Sequence, residues 1–455
     1  MSATDVLIVG AGPAGLTLAL ELSMQNIPFR LVEKELERSD KSRALGVHSR
    51  TLEVLTRYGD SIQQLLDCAG RIAGNNLWIN KKRYSGFDAS LLGLTKVQSD
   101  TRYPGVFTAS QVYTEAWFDR RLGERGIVIE RPVTVKSIVQ DGEGATAVLA
   151  KQDGSEESVR ARYIVGCDGA HSIVRHSMDV EFVGDAYPQE FILTDTGCEW
   201  PEGQGRAHIF LGDSMMIFLP MKGGKARLVA SRPEHLASDA DPTLKDFQDC
   251  IATMLPEDIP KPKLHDPYWL ARFHLHHRCV SKYRDGRLFV AGDAAHIHSP
   301  IGGQGLNTGI QDSVNLGWKL AAVLRGDKPD AFLDSYHEER WPIGQHLLRE
   351  TDQLFTFLTT PDPQMKDMRN MLLPHALPSL VGTRETGSKM FIYFSQLRVK
   401  YRHSSIVHTA AGFEGPVLGG YRAPDGKIRT AKDEGEESWL QDLFRGTGHH
   451  LLLFS

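Results

Sequence analysis

Residues 4–34 read TDVLIVGAGPAGLTLALELSMQNIPFRLVEK. Val6 to Val9 form a short continuous apolar run, the pattern of a strand buried on both faces. The glycines of Gly10-Ala11-Gly12-Pro13-Ala14-Gly15 make a tight turn, and Leu16, Ala19, Leu20 and Leu22 take up helical spacing behind it. Phe29 to Glu33 returns to strand. The stretch predicts a strand–helix–strand unit and, with it, a doubly wound α/β fold. Gly10 permits the turn, Gly12 lets a pyrophosphate approach the backbone, and Gly15 lets the helix lie against the strand. The helix N-terminus offers amide donors and the positive end of its dipole to phosphates. Glu33, with Lys34 beside it, ends the second strand about 20 residues after the turn, where a carboxylate meets adenosine ribose hydroxyls. The fingerprint points to a dinucleotide without choosing between NAD and FAD.

At 455 residues the chain has room for two or three domains. Lys and Arg total 52 against 57 Asp and Glu, a net charge of −5 with no long block of one sign. That argues against a nucleic-acid or polybasic membrane partner. The five cysteines, Cys68, Cys167, Cys198, Cys250 and Cys279, are scattered and include no C-x-x-C pair, so neither a disulfide framework nor a thiolate metal site is expected. No apolar run approaches the roughly 20 residues of a membrane span, and the first one is too short for a secretory signal. A cytoplasmic protein is expected.

Two further strand ends repeat the theme of the first. YIVGCDGAHSIVR places Asp168-Gly169 after a buried strand, and LFVAGDAAHIHSP places Gly292-Asp293 after another. Either alone reads as a turn or a helix cap. Together with the opening glycines they form an ordered set: GAGPAG, DGAHSIVR and GDAAHIHSPIGGQGLNTGIQDSVNLGWKL. Between the last two, RAHIFLGDSMMIFLPMKGGKARLVAS reads as antiparallel strands joined by glycine turns, which predicts an inserted sheet domain.

On these three motifs the chain resembles the single-component FAD-dependent aromatic monooxygenases of the p-hydroxybenzoate-hydroxylase-like class, in the phenol 2-monooxygenase branch. The resemblance spans nearly the whole sequence. It implies a Rossmann-type FAD-binding domain with an inserted mixed or antiparallel substrate sheet, a helical C-terminal part and an incomplete thioredoxin-like segment. The expected bounds are 1–80, 101–182 and 280–345 for the FAD-binding domain, and 81–100 and 183–279 for the substrate sheet. A helical segment follows over 346–410, and 411–455 reads as the start of a thioredoxin-like domain, apparently truncated, with HLLLFS as a strand lacking a partner. In the family that domain helps dimers form, so a homodimer is one expected assembly.

The resemblance also implies roles. The first motif (Gly10, Gly12, Pro13, Ala14, Gly15, with Glu33 and Lys34) would hold the ADP half of a tightly bound, non-covalent FAD. Asp168 would belong to a dual motif touching FAD and NAD(P)H. Asp293 would bind a ribityl hydroxyl, Gln111 would reach the ribityl or phosphate region, and Val135 would offer backbone to adenine. Arg43 would lie near the pyrophosphate or ring, although alone it reads as the start of a solvated helix. Pro300, Gly305, Leu306 and Asn307 would lead into the helix whose amides stabilise the charge that reduction places on the flavin. On that helix Leu306, Ile310, Val314 and Leu320 suit burial, with Asn315 and Lys319 turned elsewhere.

The implied activity is NAD(P)H-dependent hydroxylation of a phenolic or polyketide-like substrate by dioxygen, through a flavin hydroperoxide, in secondary metabolism. No catalytic side chain stands out; Arg43, His48 and Pro300 are weak candidates, and His48 reads first as a helix-surface residue. Phe210, Phe218, Pro220, Trp269 and Phe273 are candidate substrate walls, with core packing as the ordinary alternative. His274, His276 and His277 lack further ligands for a metal, and none is expected. His296 and His298 recur in the branch as H-x-H-S-P and read as scaffold around Pro300. Leu45 and Phe273 replace an acid and a tyrosine of phenol hydroxylases, which favours a larger, more acidic phenol over phenol itself. Baeyer–Villiger, epoxidising or dearomatising oxygenation fits the same scaffold. An NAD-only dehydrogenase would leave Asp168 and Asp293 without a role, and no W-x-W-x-I-P segment suggests a halogenase.

Overall fold

The computed structural model describes residues 2–59, 61–88, 100–203, 205–233, 236, 240–360, 362–381, 384–429 and 437–453. Residues 89–99, most of the expected 81–100 insertion, and the last two residues of HLLLFS lie outside this set.

The opening stretch forms the strand Ser2–Val9, the helix Pro13–Met24 and the strand Phe29–Val32. Both strands are parallel and directly paired, and Ser2–Val9 pairs on its other side with Glu156–Gly166, which in turn carries Leu288–Val290 in parallel. The three strand ends that carry the glycine and acid motifs are therefore neighbours in one sheet. A βαβ sheet binds its ligand beyond the carboxyl ends of such strands. Val6, Leu7, Ile8, Ile164, Val165, Leu288 and Phe289 are wholly buried, so the continuous apolar runs are explained by helices on both faces. Glu156–Gly166 also pairs antiparallel with Ala145–Lys151, and that strand with Val133–Gln140.

The second sheet has eight strands. Its centre is the antiparallel pair Phe182–Glu199 and Lys263–Val280, followed by Lys225–Ser231, Met215–Met221 and Arg206–Leu211. Gly74–Ile79 then joins Arg206–Leu211 in parallel. This corrects the expected domain boundary at residue 80: the first excursion into the sheet begins at Gly74, because only the long-range pairing with Arg206–Leu211 shows where the strand belongs. Each face of this sheet has its own core. One is covered by the helix Leu244–Met254 and holds Trp78, Trp200, Phe210, Phe218 and Phe247. The other faces the nucleotide domain and holds Leu77, Ile79, Phe191, Leu193, Trp269 and Phe273, met by Ile301 and by Phe355 of the helix Asp334–Thr359.

The helix Gly305–Leu324 packs on Pro13–Met24 and is buried nearly all round. Asn315 and Lys319 are buried as well, both bonded to Glu339 Oε2 at 2.6 and 2.7 Å. Helices Asp334–Thr359, Pro363–Val381 and Arg384–Phe394 follow. The described residues beyond 411 form a two-stranded hairpin, Lys427–Arg429 with Glu437–Trp439, and a 3-10 turn. Leu451–Leu453 carries no strand. This segment is tied back to the nucleotide domain by Arg422 to Glu53 and by Arg102 to Asp425 and Asp442. Among the described residues no helix is long and apolar enough to cross a membrane.

Candidate functional site

At the first turn the three glycines do different work. A Cβ on Gly10, whose φ is +99°, would lie 2.4 Å from the Cys167 carbonyl oxygen, and one on Gly15 would lie 1.9 Å from the Gly10 carbonyl oxygen. Both are fixed by backbone-to-backbone packing. A Cβ on Gly12 would meet nothing within 4 Å. Gly12 faces open space at a helix start whose first intrahelical bond is donated only by Leu16, so the amides of Ala14 and Gly15 precede the ladder. Such a cradle fits a pyrophosphate. Glu33 closes it from the second strand, its Oε2 accepting the Ala11 N–H at 2.8 Å, while Lys34 is exposed. Val133 donates to the Glu33 carbonyl, which brings the strand of Val135 alongside; Val135 itself is buried next to a register shift.

The third motif begins where Gly292, at φ +61°, lets the chain turn against Ala14 and Gly309. Asp293 follows in a 3-10 turn. Its carboxylate is reachable by small molecules yet walled by protein, and burial raises its pKa, with His296 and Arg43 working against the rise. Among the described residues it makes no hydrogen bond, and Arg43, exposed, makes none either. Two opposite charges held near each other and left unbonded fit a ligand carrying hydroxyls and phosphates between them. Gln111 starts the helix Gln111–Glu124 and braces the Arg43 loop, accepting the Ala44 N–H at 3.1 Å and donating to Glu115 at 2.7 Å.

Past Pro300 the chain makes a 3-10 turn, Ile301–Gly303, with Gly302 and Gly303 at positive φ, and enters the helix Gly305–Leu324. Thr308 donates the first bond, to Gln304, so the amides of Gly305, Leu306 and Asn307 are helix-start donors. The Asn307 side chain accepts the His48 N–H at 2.9 Å and donates to the carbonyls of Gly46 and Gly303. His48 is thereby corrected. It is buried at the start of the helix Ser49–Thr56, not on its surface, and its Nε2 bonds the Gly302 carbonyl at 2.6 Å. Burial holds its pKa down at about 4, so the imidazole is neutral and donates to that carbonyl. His48 is a clasp for the glycine turn. In the unfolded chain it titrates near 6.5. Its contribution is complete above that pH and is lost as pH falls toward 4, by up to about 3 kcal/mol. Thermal melts from pH 7 to 4 should decline less steeply in His48→Gln than in the wild type; parallel slopes would remove His48 from the acid response.

At the second motif Asp168 Oδ2 accepts the Ile173 and Val174 N–H groups, while Oδ1 is enclosed without a partner. Burial raises its pKa. Arg175, at the end of the same motif, is buried and donates to the carbonyls of Ala294 and Ala170 at 3.1 and 2.7 Å, over the ring of Phe182. It stitches the second motif to the third. Beside it lies a cleft of about 480 Å³ lined by His171, Arg175, His176, His276, Arg278 and Ile297 among others, with no carboxylate in its wall. The Arg278 Nε is buried and unbonded there.

The nucleotide-facing side of the large sheet carries Trp269 and Phe273, half-buried, together with the buried pair Arg227–Asp195, bidentate at 2.7 Å. Arg227 stacks over Trp269 and reaches the Ser42 carbonyl next to Arg43. Phe210 and Phe218 are corrected: they lie on the opposite face, under the helix Leu244–Met254, as core. Pro220 is half-buried at the strand end, its carbonyl accepting from Thr108 at 3.0 Å. His274 pairs with Glu190 and His277 stacks near Tyr187. His296 Nε2 bonds Asp312 at 2.6 Å, its ring 4.7 Å from that of His298. Among the described residues no three His, Cys, Asp or Glu side chains group as metal ligands.

Sequence reasoning missed Asp312, Arg340, Arg227 and Asp195, and met Arg175 only as the last residue of its motif, without a role. Asp312 left a signal as an acid inside the third motif.

The family model described as an FAD binding domain matches residues 3–351. Among curated relatives, a rifampicin monooxygenase of Streptomyces venezuelae is 37% identical over 79% of this chain and 73% of its own length. An anhydrotetracycline monooxygenase of Streptomyces rimosus is 34% identical over 92% of this chain and 80% of its own. Among solved structures, an anhydrotetracycline hydroxylase from Streptomyces rimosus superposes with a TM-score of 0.74 at 32% identity, over 96% of this chain and 83% of that one.

Proposed function

Because the chain belongs to the FAD-binding domain family of aromatic monooxygenases, we propose that it hydroxylates a fused, acidic, polyketide-like phenol with NAD(P)H and dioxygen. One observation carries the reading. The open Gly12 cradle and the unbonded Asp293 follow the carboxyl ends of two strands of one parallel sheet, Arg43 lies near Asp293, and the chain runs on from Asp293 to the helix-start amides of Gly305 to Asn307. The fit supports FAD laid along that line: its ADP half at Gly10 to Gly15 and Glu33, its ribityl chain at Asp293, its ring at Pro300 to Asn307. Bound there, the flavin supplies the electron storage and oxygen activation that no side chain can.

The protein's own part is positional and electrostatic. The helix start at Gly305 stabilises negative charge on its ligand. Arg227, paired with Asp195 and stacked on Trp269, sets a buried ion pair among the aromatic side chains of the wall beside the substrate. His48 is committed to Gly302, so it is not free to take a phenolic proton. A substrate acidic enough to ionise near neutral pH suits such a site.

The cleft of His171, His276 and Arg278 is assigned to the phosphates of NAD(P)H. Its cations have no carboxylate partner in the wall, which suits an anion. Arg278→Ala should raise the KM for NAD(P)H about tenfold or more, the loss of a charge-assisted hydrogen bond, with flavin content unchanged. An unchanged KM would remove the cleft from the reaction. The activity itself is tested by substrate-stimulated NAD(P)H oxidation across mono- and polycyclic phenols, with product masses. Gain of one oxygen with the ring intact supports hydroxylation; ring insertion or no stimulation by any phenol overturns it.

A further inference from the structure

The helix start that would face the flavin ring is held from outside the matched family segment. Gln304, at the N-terminal boundary of the helix Gly305–Leu324, is buried, and its amide is fully oriented. Its Nε2 donates to the Phe394 carbonyl at 2.9 Å, and its Oε1 accepts from Gln396 Nε2 at 2.6 Å. The same Gln396 Nε2 donates to Thr308 Oγ1 at 3.0 Å, while Gln396 Oε1 accepts from Gln311 Nε2 at 2.5 Å. One side chain thus binds positions 304, 308 and 311, a single stripe along the first two turns of the helix.

The backbone of this clasp is itself unusual. Gln396 is buried at φ +60°, a left-handed conformation that costs an L-residue other than glycine. Its side chain spends every donor and acceptor on the helix, which is what such a strained position needs to persist. Phe394 lies close by: a Cβ on Gly302 would be 3.0 Å from the Phe394 ring, so the glycine turn is pressed from the C-terminal side while His48 holds it from the other.

We infer that Gln396 is a positioning residue for the flavin, setting the aim of the Gly305–Asn307 amides through Gln304 and Thr308. The inference rests on the ring placement proposed above. It assigns to the segment after residue 351 a role in tuning the cofactor, beyond covering the domain.

The test measures flavin midpoint potential by reductive titration, with FAD dissociation and melting temperature alongside, on the holoenzyme. Gln396→Gly relieves the backbone strain and removes the amide, so it folds at least as readily as Gln396→Ala. Gln396→Glu keeps length but cannot donate to Gln304 and Thr308. Both should weaken the preference for reduced over oxidised flavin about tenfold, near 30 mV for a two-electron couple. Asn307→Ala marks the ring placement and should shift the potential as well. If Asn307→Ala shifts it while Gln396→Gly and Gln396→Glu stay within twofold of the wild type, the inference about Gln396 fails alone. If none shifts it, the ring placement falls and this inference with it. Should the Gln396 variants not fold, Gln304→Ala, which removes the same contacts from the helix side, must give the tenfold change or the inference is wrong.

Discussion

Asp293→Ala is expected to purify almost free of flavin while remaining folded. The wild-type carboxylate sits in the turn after the strand Leu288–Val290, open to small molecules between buried neighbours, and makes no hydrogen bond among the described residues. Burial raises its pKa, so in the absence of a ligand the charge is held at a cost. Removing it relieves the apoprotein, and the melting temperature without FAD should be equal or higher. On the proposed placement of FAD, the variant would lose a charge-assisted bond to the ribityl chain, and it loses the counter-charge to Arg43. One such bond is worth about 1.5–3 kcal/mol, which is about 10- to 100-fold in affinity. Flavin stoichiometry after gel filtration reads the effect directly. A variant that stays yellow at wild-type stoichiometry would show that Asp293 does not hold the cofactor.

What the sequence disclosed and what it hid divide along the range of the interactions. The glycine turns, the strand runs and the acids at strand ends are local: each depends on a few consecutive residues meeting steric and dipolar demands that can be read in place. The Rossmann-type sheet and the inserted sheet follow from them, and both are present. Which face of the inserted sheet looks at the nucleotide domain is not local. Both faces are buried, so the alternation of polar and apolar residues that would separate them is absent, and Phe210 was as good a wall as Phe273 until the helix Leu244–Met254 was seen to cover it. The placement of Gly74–Ile79 depends on a partner strand at Arg206–Leu211, which no nearby residue announces. His48 looked like a surface residue because its partners, Gly302 and Asn307, arrive from the third motif.

The same separation explains the site's missed charges. Asp195 and Arg227 sit on adjacent strands, but Asp312 and Arg340 join two helices, and Gln396 comes from a segment whose own sequence carries no cofactor motif. Motifs mark where a cofactor touches backbone. The side chains that hold those backbones in place pair with whatever the topology brings near.

Asp312→Asn should be the most damaging single change outside the cofactor-contacting residues. Asp312 is wholly buried on the helix Gly305–Leu324 and serves three partners: Arg340 Nε at 2.7 Å, His296 Nε2 at 2.6 Å and the Gly292 N–H at 3.2 Å. Burial alone would raise its pKa, yet Arg340 and His296 outweigh that and hold it low, so it is a carboxylate. Its stabilising contribution is present at neutral pH and is lost as pH falls through that depressed value. The asparagine keeps the shape and removes the charge. Arg340, also wholly buried, then has neutral acceptors alone: the new amide oxygen, the Thr308 carbonyl and the Tyr401 hydroxyl. Leaving a buried guanidinium without its counter-ion costs about 3–5 kcal/mol, which lowers the melting temperature by roughly 10 °C in a domain of this size. Because Asp312 also anchors Gly292, the residue before Asp293, flavin retention should fall together with stability, whereas Asp293→Ala lowers retention alone. The double variant Asp312→Leu with Arg340→Met removes both charges and should recover most of the melting temperature, since an apolar pair of similar volume avoids the desolvation cost. Its flavin retention should stay low, for the Gly292 anchor is still missing. If Asp312→Asn melts within about 2 °C of the wild type, the network does not carry the stability assigned to it.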